Sequence, residues 1–135
     1  MDAPITAQSF LAFLAYFGTG LGVLVVAAIV VSLVTPHHEV RLIRSGNTAA
    51  ATAFAGTLVG LALPLHAAIS NSVSLLDALL WGAVSAAVQI GAYLLTRVVS
   101  PKLSHHITEN DMAAGILSAG VSISIGLVNA AAMTP

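Results

Sequence analysis

The chain is 135 residues long, 58% hydrophobic and only 7% charged, with a formal net charge of −1 and a mean hydropathy of +0.99. A water-soluble domain of this size needs a charged surface that this composition cannot supply, so lipid must be the solvent for most of it. The near-neutral balance excludes a basic face for nucleic acid, and the absence of cysteine excludes disulfides, thiolate metal sites and cysteine nucleophiles.

Four stretches are long enough to cross a hydrocarbon core, which takes about 20 apolar residues. The first is Ser9–Val34. No Lys or Arg precedes it, so it lacks the basic leader of a secretory signal and is expected to stay in the mature protein. The loop TPHHEVRLIRSGN follows, then the second stretch, Thr48–Ile69. The short SNSVS turn leads into the third, Leu75–Val99, and the loop SPKLSHHITEND into the fourth, Met112–Ala132. Arg41, Arg44, Arg97 and Lys102 are every basic residue in the chain, and all fall on the side of the two longer loops. An excess of Lys and Arg marks the cytoplasmic side, so both termini and the SNSVS turn are expected to face outward, towards the periplasm. Arg41, Arg44 and Lys102 are placed to meet anionic lipid headgroups.

The two halves match. At an offset of 65, Ser9, Leu11, Leu14, Tyr16, Val34 and Pro36 align with Ser74, Leu76, Leu79, Trp81, Val99 and Pro101. After one gap in the loop the offset becomes 64, and Ile43, Ala49, Ala55, Gly56 and Leu63 align with Ile107, Ala113, Ala119, Gly120 and Leu127. Asn47 meets Asp111, and both suit the N-cap of the helix that follows. Residues 1–135 therefore read as one integral membrane domain of two tandem two-span repeats, 8–72 and 73–135. Each repeat is a hairpin, so the two point the same way, and inverted-repeat alternating access is correspondingly disfavoured. Gly56 and Gly60, with Ala114, Ser118, Ser122, Gly126 and Ala130 at intervals of four, predict close helix packing, because lipid supplies no hydrophobic drive for helices to associate.

LIRSGNTAAATAFAGTLVGLALPL (42–65), SVSLLDALLWG (72–82) and GVSISIGLVNAAAM (120–133) resemble the YjfL-like inner-membrane proteins, domain of unknown function family 350. The resemblance covers nearly the whole chain and implies a bacterial inner-membrane protein with four spans. It implies no activity and carries over no catalytic or binding residue. The entry to the fourth stretch, ENDMAAG, departs from its counterpart SGNTAAA.

Polar residues present in one half alone need a reason beyond shared packing. His66 aligns with Ala130, Asp77 with Ala12, Gln89 with Leu24, Asn129 with Leu65, and Pro64 with Val128. These residues form the candidate intramembrane set. Ser74 and Asp77 fit a capping box. His66 and Asp77 are also equally far from the turn centre, so they are a candidate outward-facing pair that takes up protons or cations. Pro64 cannot donate to the Gly60 carbonyl and predicts a kink, with Asn129 or a water expected to satisfy that carbonyl. Gln89 lies on the row Asp77, Trp81, Ser85, Gln89, Tyr93, Arg97, which is expected to face another helix rather than lipid. Its readings are interhelical bonding, a subunit contact, or the lining of a solute path. Trp81, Tyr16 and Tyr93 suit the headgroup level.

His37–His38 and His105–His106 invite a metal hypothesis, but adjacent imidazoles diverge and no ligand spacing is recognisable. Both loops are read as solvated, with no metal and no cofactor expected. Nothing resembles a nucleophile turn, a carboxylate pair or a phosphate loop, so no catalytic residue and no enzyme is expected. The fold class is all-α, four transmembrane helices formed by two parallel two-helix repeats. The expected function is a structural or accessory component, acting as a homo-oligomer or with a membrane partner and in contact with lipids. The alternative is a small ion or solute channel or transporter subunit using His66, Asp77 and Gln89.

Overall fold

The computed structural model describes residues 5–35, 39–100 and 102–134. Six helices occupy them: α1 (Ala7–Val34), α2 (Glu39–Arg44), α3 (Thr48–Ser70), α4 (Leu75–Val99), α5 (Leu103–Thr108) and α6 (Met112–Met133). The four long ones are the four expected crossings, each apolar and long enough to span a membrane.

Local chemistry sets where each long helix begins. Thr6 and Ser9 form a reciprocal capping box before α1, with the Ser9 N–H donating to Thr6 Oγ1 at 3.1 Å and the Thr6 N–H to Ser9 Oγ at 2.9 Å. Asn47 caps α3 through the Ala50 N–H, Ser74 caps α4 through the Asp77 N–H, and Asp111 caps α6 through the Ala113 N–H.

The two longer loops are not simply solvated, as the sequence suggested. Each holds a six-residue helix, and α2 and α5 are offset by the same 64 residues as the spans that follow them. Both end in the same way. Gly46 (φ 91°) and Asn110 (φ 60°) take the left-handed conformation. Asn47 N–H donates to the Leu42 carbonyl and Asp111 N–H to the His106 carbonyl, each at 2.9 Å, which closes a Schellman turn. Apolar residues of these short helices pack inward: Ile107 is buried against Ala50, Ala53 and Ala114, with Leu42, Ile43 and Leu103 beside it. The loops also clasp one another. Asn47 Nδ2 donates to the Ile107 and Thr108 carbonyls at 3.0 and 3.2 Å, and Asn110 Oδ1 accepts from the Ala49 N–H and Thr48 hydroxyl at 3.0 and 3.1 Å. Each half thus terminates backbone groups of the other. His37 and His38 lie outside the described residues.

The bundle is organised around α3, whose apolar window is 50% buried, against 17–22% for the other three long helices. A helix exposed on most of its surface and still apolar requires hydrocarbon around it. That is the state of α1, which displays Phe10, Phe13, Phe17, Val26 and Leu33 outward.

Candidate functional site

The site is built on the seam between α3 and α6. A methyl group placed on Gly56 would sit 2.3 Å from the Ala119 Cα, one on Gly115 would sit 2.6 Å from the Ala49 carbonyl oxygen, and one on Gly126 would sit 2.5 Å from the Gly60 carbonyl oxygen. Glycine is required at all three, because only a bare Cα allows the backbones to approach so closely. The last contact also places the carbonyl that Pro64 frees. Gly60 O faces the Gly126 backbone, a Cα–H···O arrangement. It does not meet Asn129, as the sequence suggested; α3 remains one helix through Pro64.

Asn129 is engaged elsewhere. Its Nδ2 donates to the Ser85 carbonyl of α4 at 3.1 Å. One turn further along α4, Gln89 Nε2 donates to the Ser122 carbonyl of α6 at 2.9 Å. Each helix therefore lends one amide to the other's backbone, and Asn129 and Gln89 are 8% and 6% exposed. The row through Ser85, Gln89, Tyr93 and Arg97 faces the protein, as expected, while Trp81 at its far end is exposed.

Beside the Gln89 crossbar lies a cavity of about 380 Å³ lined by residues of α3, α4, α5 and α6. Its lining is largely apolar, with Leu61, Val121 and Ile125 among it, and its polar members are Thr57, Gln89, Tyr93, Ser118 and Ser122, with Glu39, Arg97 and Ser104 from the α2 and α5 end of the bundle. Thr57 spends its proton on the Ala53 carbonyl at 3.1 Å, so its oxygen is left as an acceptor. The Ser118 and Ser122 hydroxyls bond no described residue. Gln89 Oε1 is fully buried and also has no partner among the described residues. Turning the amide over would set Oε1 against the Ser122 carbonyl, so the orientation is fixed by its one good bond.

At the α2 and α5 end of the bundle, the ends of α1 and α4 are held together. Tyr93 OH and Thr35 Oγ1 share a hydrogen bond of 2.8 Å, and the Arg97 guanidinium donates to the Val34 carbonyl. A cation on the last carbonyls of α1 suits the negative end of that helix. Glu39, 5% exposed, accepts from the Ser32 hydroxyl at 3.2 Å. Burial pushes its carboxyl above the ordinary carboxylate range, and the Ser32 bond partly offsets this.

The remaining candidates do not converge. His66 is exposed on α3 and borders a shallow apolar groove against α1, beside Tyr16, Phe17, Gly20 and Leu65. Asp77 borders a different cavity, with Asn71, Trp81 and Met133. Asp77 Oδ2 accepts the Val73 N–H at 3.0 Å, one residue before the Ser74 N-cap rather than on it, so the capping contact is made with a shifted partner. Arg41, Arg44 and Lys102 are exposed on the α2 and α5 end. His105 Nε2 lies 3.0 Å from Glu109 and His106 Nδ1 3.6 Å from Asp111, so the two rings address different carboxylates.

Comparison with known proteins agrees with this architecture. The family described as Domain of Unknown Function (DUF350) matches residues 5–133. The chain belongs to the DUF350 family. Among DUF350 relatives, it is 39% identical over 127 residues to the UPF0719 inner membrane protein YjfL of Escherichia coli K12, covering 94% of this chain and 96% of that one. It is 29% identical over 119 residues to the UPF0719 transmembrane protein YshE of Bacillus subtilis 168, covering 87% and 89%. No solved structure matches.

For a DUF350 chain, then, the group with most chemistry is the Glu39, Tyr93, Arg97 and Gln89 set, and only Gln89 was singled out from sequence. Glu39 could have been found by the same asymmetry test, since its counterpart at the loop offset is Leu103. A search confined to residues within the spans passes over it.

Proposed function

We propose that the protein is a structural or accessory component of the bacterial inner membrane, without enzymatic activity, that works as a homo-oligomer or beside a membrane partner. The observation that carries this reading is the use of the intramembrane amides. Gln89 and Asn129 are spent on α4–α6 bonds, and the α3–α6 seam admits no side chain at Gly56. A bundle locked in this way is suited to holding a shape more than to opening a passage. The exposed Arg41, Arg44 and Lys102 support contact with anionic headgroups from the cytoplasmic side, which leaves both termini outward. Native mass spectrometry of the protein extracted from its own membrane tests the proposal: a defined oligomer or a stoichiometric partner is expected, and a bare monomer under all mild extraction conditions would defeat it.

A second reading, a small solute channel or transporter subunit, is favoured by the buried Gln89 oxygen, without a partner among the described residues, on the wall of a largely apolar cavity. Reconstituted liposomes separate the two. Flux that disappears in Gln89→Leu would favour transport, whereas intact assembly with no flux of protons, cations or small neutral solutes leaves the accessory role standing.

A further inference from the structure

We propose that the cleft between α4 and α6 is a one-sided binding site for a small uncharged solute rich in hydrogen-bond donors, such as a polyol, reached from the α2 and α5 end. The inference does not depend on the accessory role.

The volume of about 380 Å³ is that of a solute site rather than a packing defect. Its walls are unevenly charged. The charged residues of its lining, Glu39 and Arg97, lie at the start of α2 and in the last turn of α4, whereas the polar residues further along the helices, Thr57, Gln89, Ser118 and Ser122, are neutral and set among apolar side chains such as Leu61, Val121 and Ile125. An ion drawn past Glu39 and Arg97 would lose its hydration beside neutral dipoles alone, which do not replace it. A neutral solute meets no such barrier.

The bonding inventory gives the polarity of the ligand. Gln89 Oε1 and Thr57 Oγ1 can only accept there, because the amide nitrogen is held by Ser122 and the threonine proton by Ala53. Ser118 and Ser122 can each donate or accept. Four groups that accept, two of which cannot donate, are complemented by a ligand presenting several hydroxyl or amide protons. Gln89 is 94% buried with its oxygen unpaired, a cost that a native fold sustains where a ligand or water relieves it.

The chain has no cysteine, so single cysteines can be placed without a background. Ser118→Cys and Ser122→Cys in sealed vesicles of known orientation are expected to react with a membrane-impermeant methanethiosulfonate added on the α2 and α5 side. Ser124→Cys, on an exposed part of α6 outside the cavity, is expected to stay unlabelled. Glycerol or xylitol is expected to slow labelling at both positions severalfold in the otherwise native protein, and Thr57→Val or Gln89→Met to abolish that protection while leaving the protein monodisperse. If Gln89→Met fails to assemble, Thr57→Val alone decides the point. Labelling from the opposite side, no labelling from either, or labelling that no polyol slows would each overturn the proposal. Equal protection by sodium or potassium salts at matched osmolarity would overturn its restriction to neutral ligands.

Discussion

Gly56 and Gly120 occupy the same position in the two halves, yet a methyl group on the first meets Ala119 Cα at 2.3 Å and on the second meets nothing within 4 Å. This gives a matched pair of substitutions. Carbon atoms are at their best near 3.5–4.0 Å, so Gly56→Ala must push α3 from α6 by about 1 Å or more. A gap of roughly 0.5–1 Å already forfeits a quarter to a half of each contact. The neighbouring close approaches, Ala49 to Gly115 and Gly60 to Gly126, would lose contact with it. Overpacking of this kind costs about 1–3 kcal/mol. Gly120→Ala carries no such penalty and removes a flexible residue from a helix, a change worth about 0.5–1 kcal/mol in the stabilising direction. Unfolding by SDS titration in mixed micelles, followed by Trp81 fluorescence, measures both. Gly56→Ala should unfold earlier than the native protein and Gly120→Ala no earlier. Equal stability of the two variants would refute the seam as described.

Asn129→Leu should destabilise by about 0.6 kcal/mol, with ~1.7 kcal/mol as an upper bound for one intramembrane hydrogen bond, in the same titration. Ser74→Ala should cost about 1 kcal/mol as a lost cap, and a double-mutant cycle of Asp77→Ala with His66→Ala should show no coupling, since the two residues border different cavities. Glu39 has a raised folded-state pKa. Its contribution is therefore fully present below the unfolded value and is lost as pH rises through the folded one, so stability should fall as pH is raised from 4.5. Glu39→Gln should flatten that slope, measured as the SDS midpoint against pH. Tyr93→Phe should loosen the α1–α4 end, seen as faster hydrogen exchange at Thr35.

The long helices were legible because a membrane span is written in length and hydropathy, and Ser74, Asn47 and Asp111 marked their beginnings. The short helices α2 and α5 were not. Six residues carry too little periodicity to stand out, and His105 and His106 beside Ile107 made the segment look solvated although Ile107 is 3% exposed. The polar face of α4 was readable as a row, and Gln89 on it. Its partner was not, because which carbonyl faces an amide depends on the rotation of α6. The same limit applies to Asn129: depth along the helix suggested Gly60, but direction around the helix gave Ser85. His66 and Asp77 are equally far from the turn centre too, yet border different cavities.

Sidedness at five positions tests the whole account most directly. Single cysteines at Ile5, Ser45, Ser72, Thr108 and Thr134 would be probed with an impermeant thiol reagent in intact spheroplasts and again after lysis. Ile5, Ser72 and Thr134 should react in intact spheroplasts, and Ser45 and Thr108 only after lysis. Any two successive positions reacting from the same side would contradict four crossings, and the reversed pattern would contradict the proposed placement of α2 and α5 in the cytoplasm.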